Sequence, residues 1–238
     1  MITWNCKGAF ERKHAAIVSL KPDVLVVPEA ARISELSHVL GESPVNSVEW
    51  IGENPRKGLA VISYGDYSLT LHEAYDPRLR WILPLEVLGP SPFTLIAVSA
   101  MPDTSTGRYI QCLVDACETY RDLLASSRVV LAGDFNNHVV FDSPRKPMKF
   151  VSLLATLGEA GFQSLYHLER GCAHGEESDP TFFLYHRVQH AHHIDFIFAK
   201  SAMIAPGFKM TVGDHTRWGK SSDHMPLTCA FDESTPMI

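Results

Sequence analysis

Short, unbroken apolar runs rich in β-branched residues recur along this chain, and several close on a polar or acidic residue. Val24-Leu25-Val26-Val27 runs into Pro28-Glu29, and Val129-Val130-Leu131-Ala132 runs into Gly133-Asp134. Similar stretches occupy Ile2-Thr3-Trp4, Leu59-Ala60-Val61-Ile62, Phe182-Phe183-Leu184 and residues 81–87, 93–98, 194–198 and 225–231. Continuous apolar runs of strand length suit strands covered on both faces. Turn pairs separate them: Asn54-Pro55, Gly65-Asp66, Asp76-Pro77, Gly89-Pro90 and Ser91-Pro92. Between the runs, Ile110, Leu113, Val114, Cys117 and Leu124 keep a helical rhythm over 109–126. Helices are also predicted at 10–20, 33–40 and 150–160, with Gly41 and Gly161 as stops for the last two. The expectation is an α/β protein of two sheets flanked by helices. No repeat or low-complexity linker interrupts the 238 residues, so one domain over 1–238 is expected.

Charge and cysteine usage narrow the setting. The formal net charge is −6, whereas proteins that grip long duplexes carry broad basic surfaces. Any basic surface here is therefore local. Five scattered cysteines, without C-x-x-C spacing, suggest reduced thiols. No apolar run reaches the roughly 20 residues of a membrane span. No charged segment followed by an apolar one opens the chain, so neither membrane insertion nor a secretory signal is expected. The cytoplasm is the expected location.

Five polar groups fall at the strand ends: Trp4-Asn5, Pro28-Glu29, Gly133-Asp134-Phe135-Asn136, Ile194-Asp195-Phe196 and Ser222-Asp223-His224. In α/β proteins, ligands commonly bind at such ends. A carboxylate placed directly after an apolar strand is costly to bury unless it is paired or bound to metal. Glu29, Asp134, Asp195 and Asp223, with two asparagines and a histidine, suit a hard, oxygen-seeking cation such as magnesium. Phosphoryl chemistry uses such a set: a cation, a carboxylate that activates water, and donors to the phosphate.

The order W-N, P-E, G-D-F-N, I-D-F, S-D-H, running from Asn5 to His224, resembles the endonuclease/exonuclease/phosphatase superfamily with its deoxyribonuclease-like fold. The resemblance is to its small bacterial-type members more than to repair endonucleases. It implies a four-layer sandwich: two mixed β-sheets packed face to face, with helices on the outer faces. It also implies a magnesium-dependent hydrolase of phosphodiester bonds, with nucleic acid the first-choice substrate and manganese an alternative cation. By the same resemblance, Glu29 is the principal metal ligand, with Asn5 beside it and Asp223 completing the metal environment. Asp134 orients or deprotonates water, and Asn136 holds that water or the phosphate. His224 donates to the phosphate with Asp195 as its carboxylate partner. One position departs from the pattern. Where members usually carry a histidine or tyrosine, this chain has Ala100, which removes a donor.

Other clusters carry less. His186, His190, His192 and His193 read as a solvated loop rim, since they lack the spacing of a closed zinc site. His138, His167 and His174 read as structural or surface groups. Arg56-Lys57, Arg78 with Arg80, and Arg145-Lys146 with Lys149 read as solvated loops. Arg217-Trp218 is a better candidate for substrate contact, the ring stacking on a base while the cation meets phosphate. Two rivals remain beside the nuclease: an esterase of small-molecule, sugar or lipid phosphates, and a catalytically silent scaffold.

Overall fold

A computed structural model of the chain describes residues 1–32, 45–102 and 108–232. The helix expected at 33–40, with its stop at Gly41, lies outside the described residues.

One six-stranded sheet contains β1 (Ile2–Thr3), β2 (Val24–Ala30), β3 (Val45–Asn54) and β4 (Lys57–Tyr64), together with β13 (Phe208–Val212) and β14 (Leu227–Phe231). Its order is β13-β14-β1-β2-β4-β3. A second six-stranded sheet contains β5 (Ser68–Leu71), β6 (Ile82–Leu88), β7 (Phe93–Ser99), β8 (Val129–Asp134), β9 (Phe162–Ser164) and β12 (Asp195–Lys200). Its order is β5-β6-β7-β8-β12-β9, and β10 (Phe182–Phe183) and β11 (Ala191–His192) form a separate two-stranded sheet. Both larger sheets are mixed: β1 runs parallel to β2 and β7 parallel to β8, while the other pairings are antiparallel.

The period-2 alternation of strand side chains sorts the apolar runs into three layers of core. Val24 and Val26 of β2 and Val61 of β4 pack between the sheets against Leu83, Leu95, Val130 and Ile197. Their neighbours Leu25, Val27 and Ile62 face outward, onto Phe10, Ile17 and Trp218. On the far side, Ile96, Val98, Leu131 and Phe196 meet the helices α2 (Tyr109–Thr119) and α4 (Phe150–Glu159). Each sheet is thus buried on both faces, which is why its strands read as unbroken apolar runs. The result is the expected four-layer sandwich.

Departures from the sequence reading have local causes. The long helix expected over 109–126 breaks at Tyr120 into α2 and α3 (Arg121–Ala125). The segment 10–20 divides into a short 3-10 turn, Phe10–Arg12, and α1 (His14–Val18). Gly161, at φ 82, follows α4 as expected. The edge strand β3 escaped notice because it is half-exposed and carries Asn46, Ser47 and Glu49 among its apolar residues.

One glycine is set by close approach. β7 and β8 pair with Val98 opposite Gly133. Gly133 has φ 147, and a Cβ there would lie 1.8 Å from the Val98 carbonyl oxygen. Gly133→Ala is therefore expected to destabilise the fold by about 3 kcal/mol or more, through overpacking against backbone. A urea midpoint close to that of the unaltered protein would contradict this.

Candidate active site

The five strand-end motifs converge on one rim of the sandwich, and each is held there by identifiable contacts. Trp4, fully buried, donates its indole N–H to the His224 carbonyl at 2.9 Å, joining the first motif to the last. Ser222 Oγ donates to the Asn5 carbonyl at 2.8 Å and accepts from the His224 amide at 3.1 Å. Glu29 sits at a bulge in the β2–β4 pairing and has φ 62. A left-handed glutamate costs on the order of 1–3 kcal/mol and persists where surrounding structure imposes it.

Asp134 and Asp195 are directly opposite each other on antiparallel strands β8 and β12. Both are buried, and two facing carboxylates repel each other. His224 relieves that repulsion. Its Nδ1 lies 2.9 Å from Asp195 Oδ2, and its Nε2 lies 4.0 Å from Asp134 Oδ2. The first distance is a hydrogen bond; the second is too long for one and is an electrostatic contact. Asp195 is itself positioned by Thr181, whose hydroxyl accepts from the Ile194 and Asp195 amides at 3.0 Å each.

Asp134 is fixed by donors. Asn5 Nδ2 and Asn136 Nδ2 donate to Asp134 Oδ2 at 2.9 and 3.0 Å, and the Asn136 amide donates to Asp134 Oδ1 at 2.9 Å. Asn136 Nδ2 also donates to the Ala100 carbonyl at 2.9 Å. Ala100 thus stands beside Asp134, to whose backbone carbonyl its own amide donates at 2.7 Å, but its contacts come from the backbone alone.

These surroundings shape the charges. Burial, the largest influence on Asp134, raises its pKa; the facing Asp195 charge adds to the rise, and His224 and Asn5 oppose it. The Asp134 carboxyl is held well above the usual carboxylate range. For His224, burial acts to lower the pKa, but the charges of Asp195 and Asp134 outweigh it and raise the value to about 9. The imidazole is then cationic at neutral pH. In the metal-free protein, His224 ring protons followed by NMR are expected to titrate near pH 9. Asp195→Asn, which removes the hydrogen-bonded carboxylate, is expected to bring that midpoint back toward ~6.5. Because the folded value lies above the unfolded one, the stability this group contributes is complete below about pH 6.5 and fades as pH rises through the folded pKa. A midpoint near the unfolded value in the unaltered protein would remove the cationic role.

Other expected site residues fall differently. Asn5 was expected as a metal ligand, but its Nδ2 faces Asp134 and, at 3.4 Å, Glu29 Oε1, while its Oδ1 accepts from the Lys7 amide at 2.9 Å. Its side chain acts here as a donor bridging two carboxylates. Trp218 was expected to stack on a base. Its ring is 3% exposed and packs edge-on against Trp4, with centroids 5.2 Å apart, so it belongs to the core. Arg217 lies over that ring and donates to Ser19 Oγ at 3.3 Å.

Two lysines were missed as site residues. Lys57 lies 3.3 Å from Glu29 Oε2, and Lys7 lies 2.7 Å from Asp223 Oδ2. Lys7 follows the W-N motif by two residues and Lys57 opens β4, so proximity to a motif was a usable signal for the first alone. The carboxylates of Glu29 and Asp223 are partly exposed at the rim, which suits a hard divalent cation. Asp134, Asp195 and His224 also offer ligand atoms within 4.8 Å of one another. In that buried trio His224 Nδ1 is already paired with Asp195 Oδ2, and Asp134 Oδ2 already accepts from Asn5 and Asn136. Beside Asn136 a cleft of about 570 Å³ opens, lined by Arg108, Tyr109, Asn137, Phe141, Lys146 and Phe182 among others.

No protein-family model matches the chain, and no curated protein matches it. Solved structures do. The 3′ phosphatase NExo from Neisseria, bound to product DNA hairpin, superposes with a TM-score of 0.72 at 22% identity, covering 98% of each chain. An AP endonuclease from Archaeoglobus fulgidus gives 0.71 at 18% identity, again over 98% of both chains. The endonuclease domain of TRAS1, a telomere-specific non-LTR retrotransposon, gives 0.67 at 18%, covering 95% of this chain and 94% of that one. The chain thus shares its fold with these proteins along nearly its whole length. Among the described residues no helix is long and apolar enough to cross a membrane.

Proposed function

We propose that the protein is a magnesium-dependent phosphoesterase that hydrolyses phosphodiester bonds of nucleic acid, with manganese able to replace magnesium. The observation that carries this reading is the buried Asp134–His224–Asp195 arrangement, which sets a carboxylate of raised pKa beside a cationic imidazole. Similarity to nucleases and a 3′ phosphatase supports the reaction class. Fold alone does not name a substrate.

In this reading Glu29 and Asp223 hold the cation, which when bound neutralises phosphate charge and lowers the pKa of water. Asp134, oriented by Asn5 and Asn136, takes a proton from the attacking water. A raised pKa brings this base closer to the operating pH, where general-base catalysis is most efficient. His224 keeps its Nδ1 on Asp195 and presents the Nε2 proton to a non-bridging phosphate oxygen, stabilising charge as it develops. Asn136 positions the phosphate at the mouth of the cleft, where Arg108 and Lys146 supply positive charge.

Turnover of bis-p-nitrophenyl phosphate with and without magnesium separates an enzyme from a silent scaffold. The intact set of Glu29, Asp134, Asn136, Asp195 and His224 favours the enzyme. A phosphatase of small-molecule, sugar or lipid phosphates is the second reading, favoured by Ala100, which brings no side-chain donor to phosphate, and by the net charge of −6.

Salt dependence discriminates between these substrates. With few cations near the cleft, catalytic efficiency on an oligonucleotide duplex is expected to fall with salt as for roughly one to three phosphate contacts. Short or single-stranded substrates are expected to be preferred over long duplex. A potassium chloride series at fixed free magnesium measures both. A steep duplex slope with poor dinucleotide cleavage would make the protein a duplex nuclease. No cleavage of either, with good turnover of a small ester, would favour the second reading.

A further inference from the structure

Histidines that read separately along the sequence are gathered by the fold around one carboxylate, with Phe196 of the I-D-F motif against the rings of His167 and His174. Glu177 Oε1 lies 2.8 Å from His167 Nε2 and 3.9 Å from His174 Nδ1, and His167, His174 and Glu177 each offer a ligand atom within 4.8 Å of the other two. Glu177 Oε2 accepts from His138 Nε2 at 2.9 Å. We propose that His167, His174 and Glu177 form a second metal site, separate from the catalytic rim, that takes a zinc ion.

Three features support this. First, His174 Nδ1 is buried with no hydrogen-bond partner, although its ring centroid lies 3.6 Å from that of His167, the planes tilted by 32°. A buried ring nitrogen without a partner is costly, and a metal ion satisfies it. Second, the spacing suits the ion. Ligands about 2.1 Å from a tetrahedral zinc lie roughly 3.4 Å apart, between the two distances to Glu177 Oε1. Third, two of the three ligands have the outer support that metal ligands usually have. His167 Nδ1 lies 2.7 Å from Ser164 Oγ, and the second Glu177 oxygen is held by His138. With zinc on Nε2, the His167 proton resides on Nδ1 and is donated to Ser164 Oγ.

Two imidazoles and a carboxylate leave the fourth position of a tetrahedral zinc for water. Position in the fold suggests a tethering role. His167 lies on α5 (Leu165–Arg170), while His174 and Glu177 belong to the loop that leads to Thr181. Thr181 in turn holds the Asp195 amide. Zinc would fasten this loop to the helix and so steady the carboxylate partner of His224. The sequence reading missed the site because it grouped histidines by adjacency. It also placed His193 on a solvated rim, whereas that side chain is buried against Tyr166 and Phe196.

The test is zinc titration of the chelator-stripped full chain against a chromophoric chelator, with magnesium saturating. One equivalent is expected in the unaltered protein and in the Glu29→Gln and His224→Ala variants. His174→Ala is expected to weaken binding by more than Ser164→Ala, itself expected to cost roughly 10- to 100-fold. Cobalt substituted for zinc is expected to give the visible absorption of a four-coordinate site, lost in His174→Ala. Circular dichroism checks each variant's fold; if His174→Ala does not fold, His174→Gln replaces it. No zinc bound, zinc retained in the His174 variant, or zinc lost in Glu29→Gln or His224→Ala would each overturn the assignment. Since the readout is metal content rather than turnover, failure of the phosphoesterase reading leaves the zinc result intact.

Discussion

His224→Ala is expected to reduce turnover of a phosphodiester by about 100-fold or more, the usual effect of removing a donor that stabilises developing charge. Asp134→Asn is expected to cost a similar factor by removing the carboxylate that takes the proton of the attacking water. The two substitutions differ in what they do to the fold. Asp134→Asn removes one of two opposed buried carboxylates and keeps its size, so cooperative unfolding is expected to persist. His224→Ala removes the cation between Asp134 and Asp195, leaving their repulsion unrelieved. Some stability is therefore expected to be lost, and circular dichroism must accompany the kinetics. Since His224 and Asp195 act as a unit, adding Asp195→Asn to His224→Ala is expected to cost little more than the single change. A folded variant that turns over like the unaltered protein would sink the role of the residue replaced.

Magnesium affinity is expected to fall roughly 100-fold or more in Glu29→Gln, since an outer-shell partner alone is commonly worth 10- to 100-fold. The amide keeps the shape and hydrogen-bonding reach of the side chain but removes its charge, and a hard cation prefers anionic oxygen. Lys57, 3.3 Å from Glu29 Oε2, competes for the same carboxylate. Lys57→Met is accordingly expected to raise magnesium affinity, because a positive neighbour is removed from a cation site. Calorimetric titration of the three proteins reads both effects. Unchanged affinity in Glu29→Gln would place the cation elsewhere. Lowered affinity in Lys57→Met would mean that the lysine organises the carboxylate instead of competing for it.

The amino-acid sequence by itself determined the two-sheet sandwich and the order of its polar strand ends. Strand signals are local: runs such as 24–27 and 129–132 are apolar on both faces because both faces are covered, and that shows in any short window. Half-exposed strands such as β3 lack the signal, for the same reason. The strand-end carboxylates were legible because an acid after an apolar run is hard to explain without a partner. Which partner each has was decided only by the tertiary structure. Trp4 meets His224 across 220 residues, and Asn5 meets Asp134 across 129. Nothing local specifies such contacts, which follow from which strands are neighbours in the sheets and in what register. The same holds for the lysines on Glu29 and Asp223, for Trp218 turned inward onto Trp4, and for His167, His174 and His138 drawn around Glu177. Charge pairing and burial act through space, and the chain acquires them only when its sheets pack.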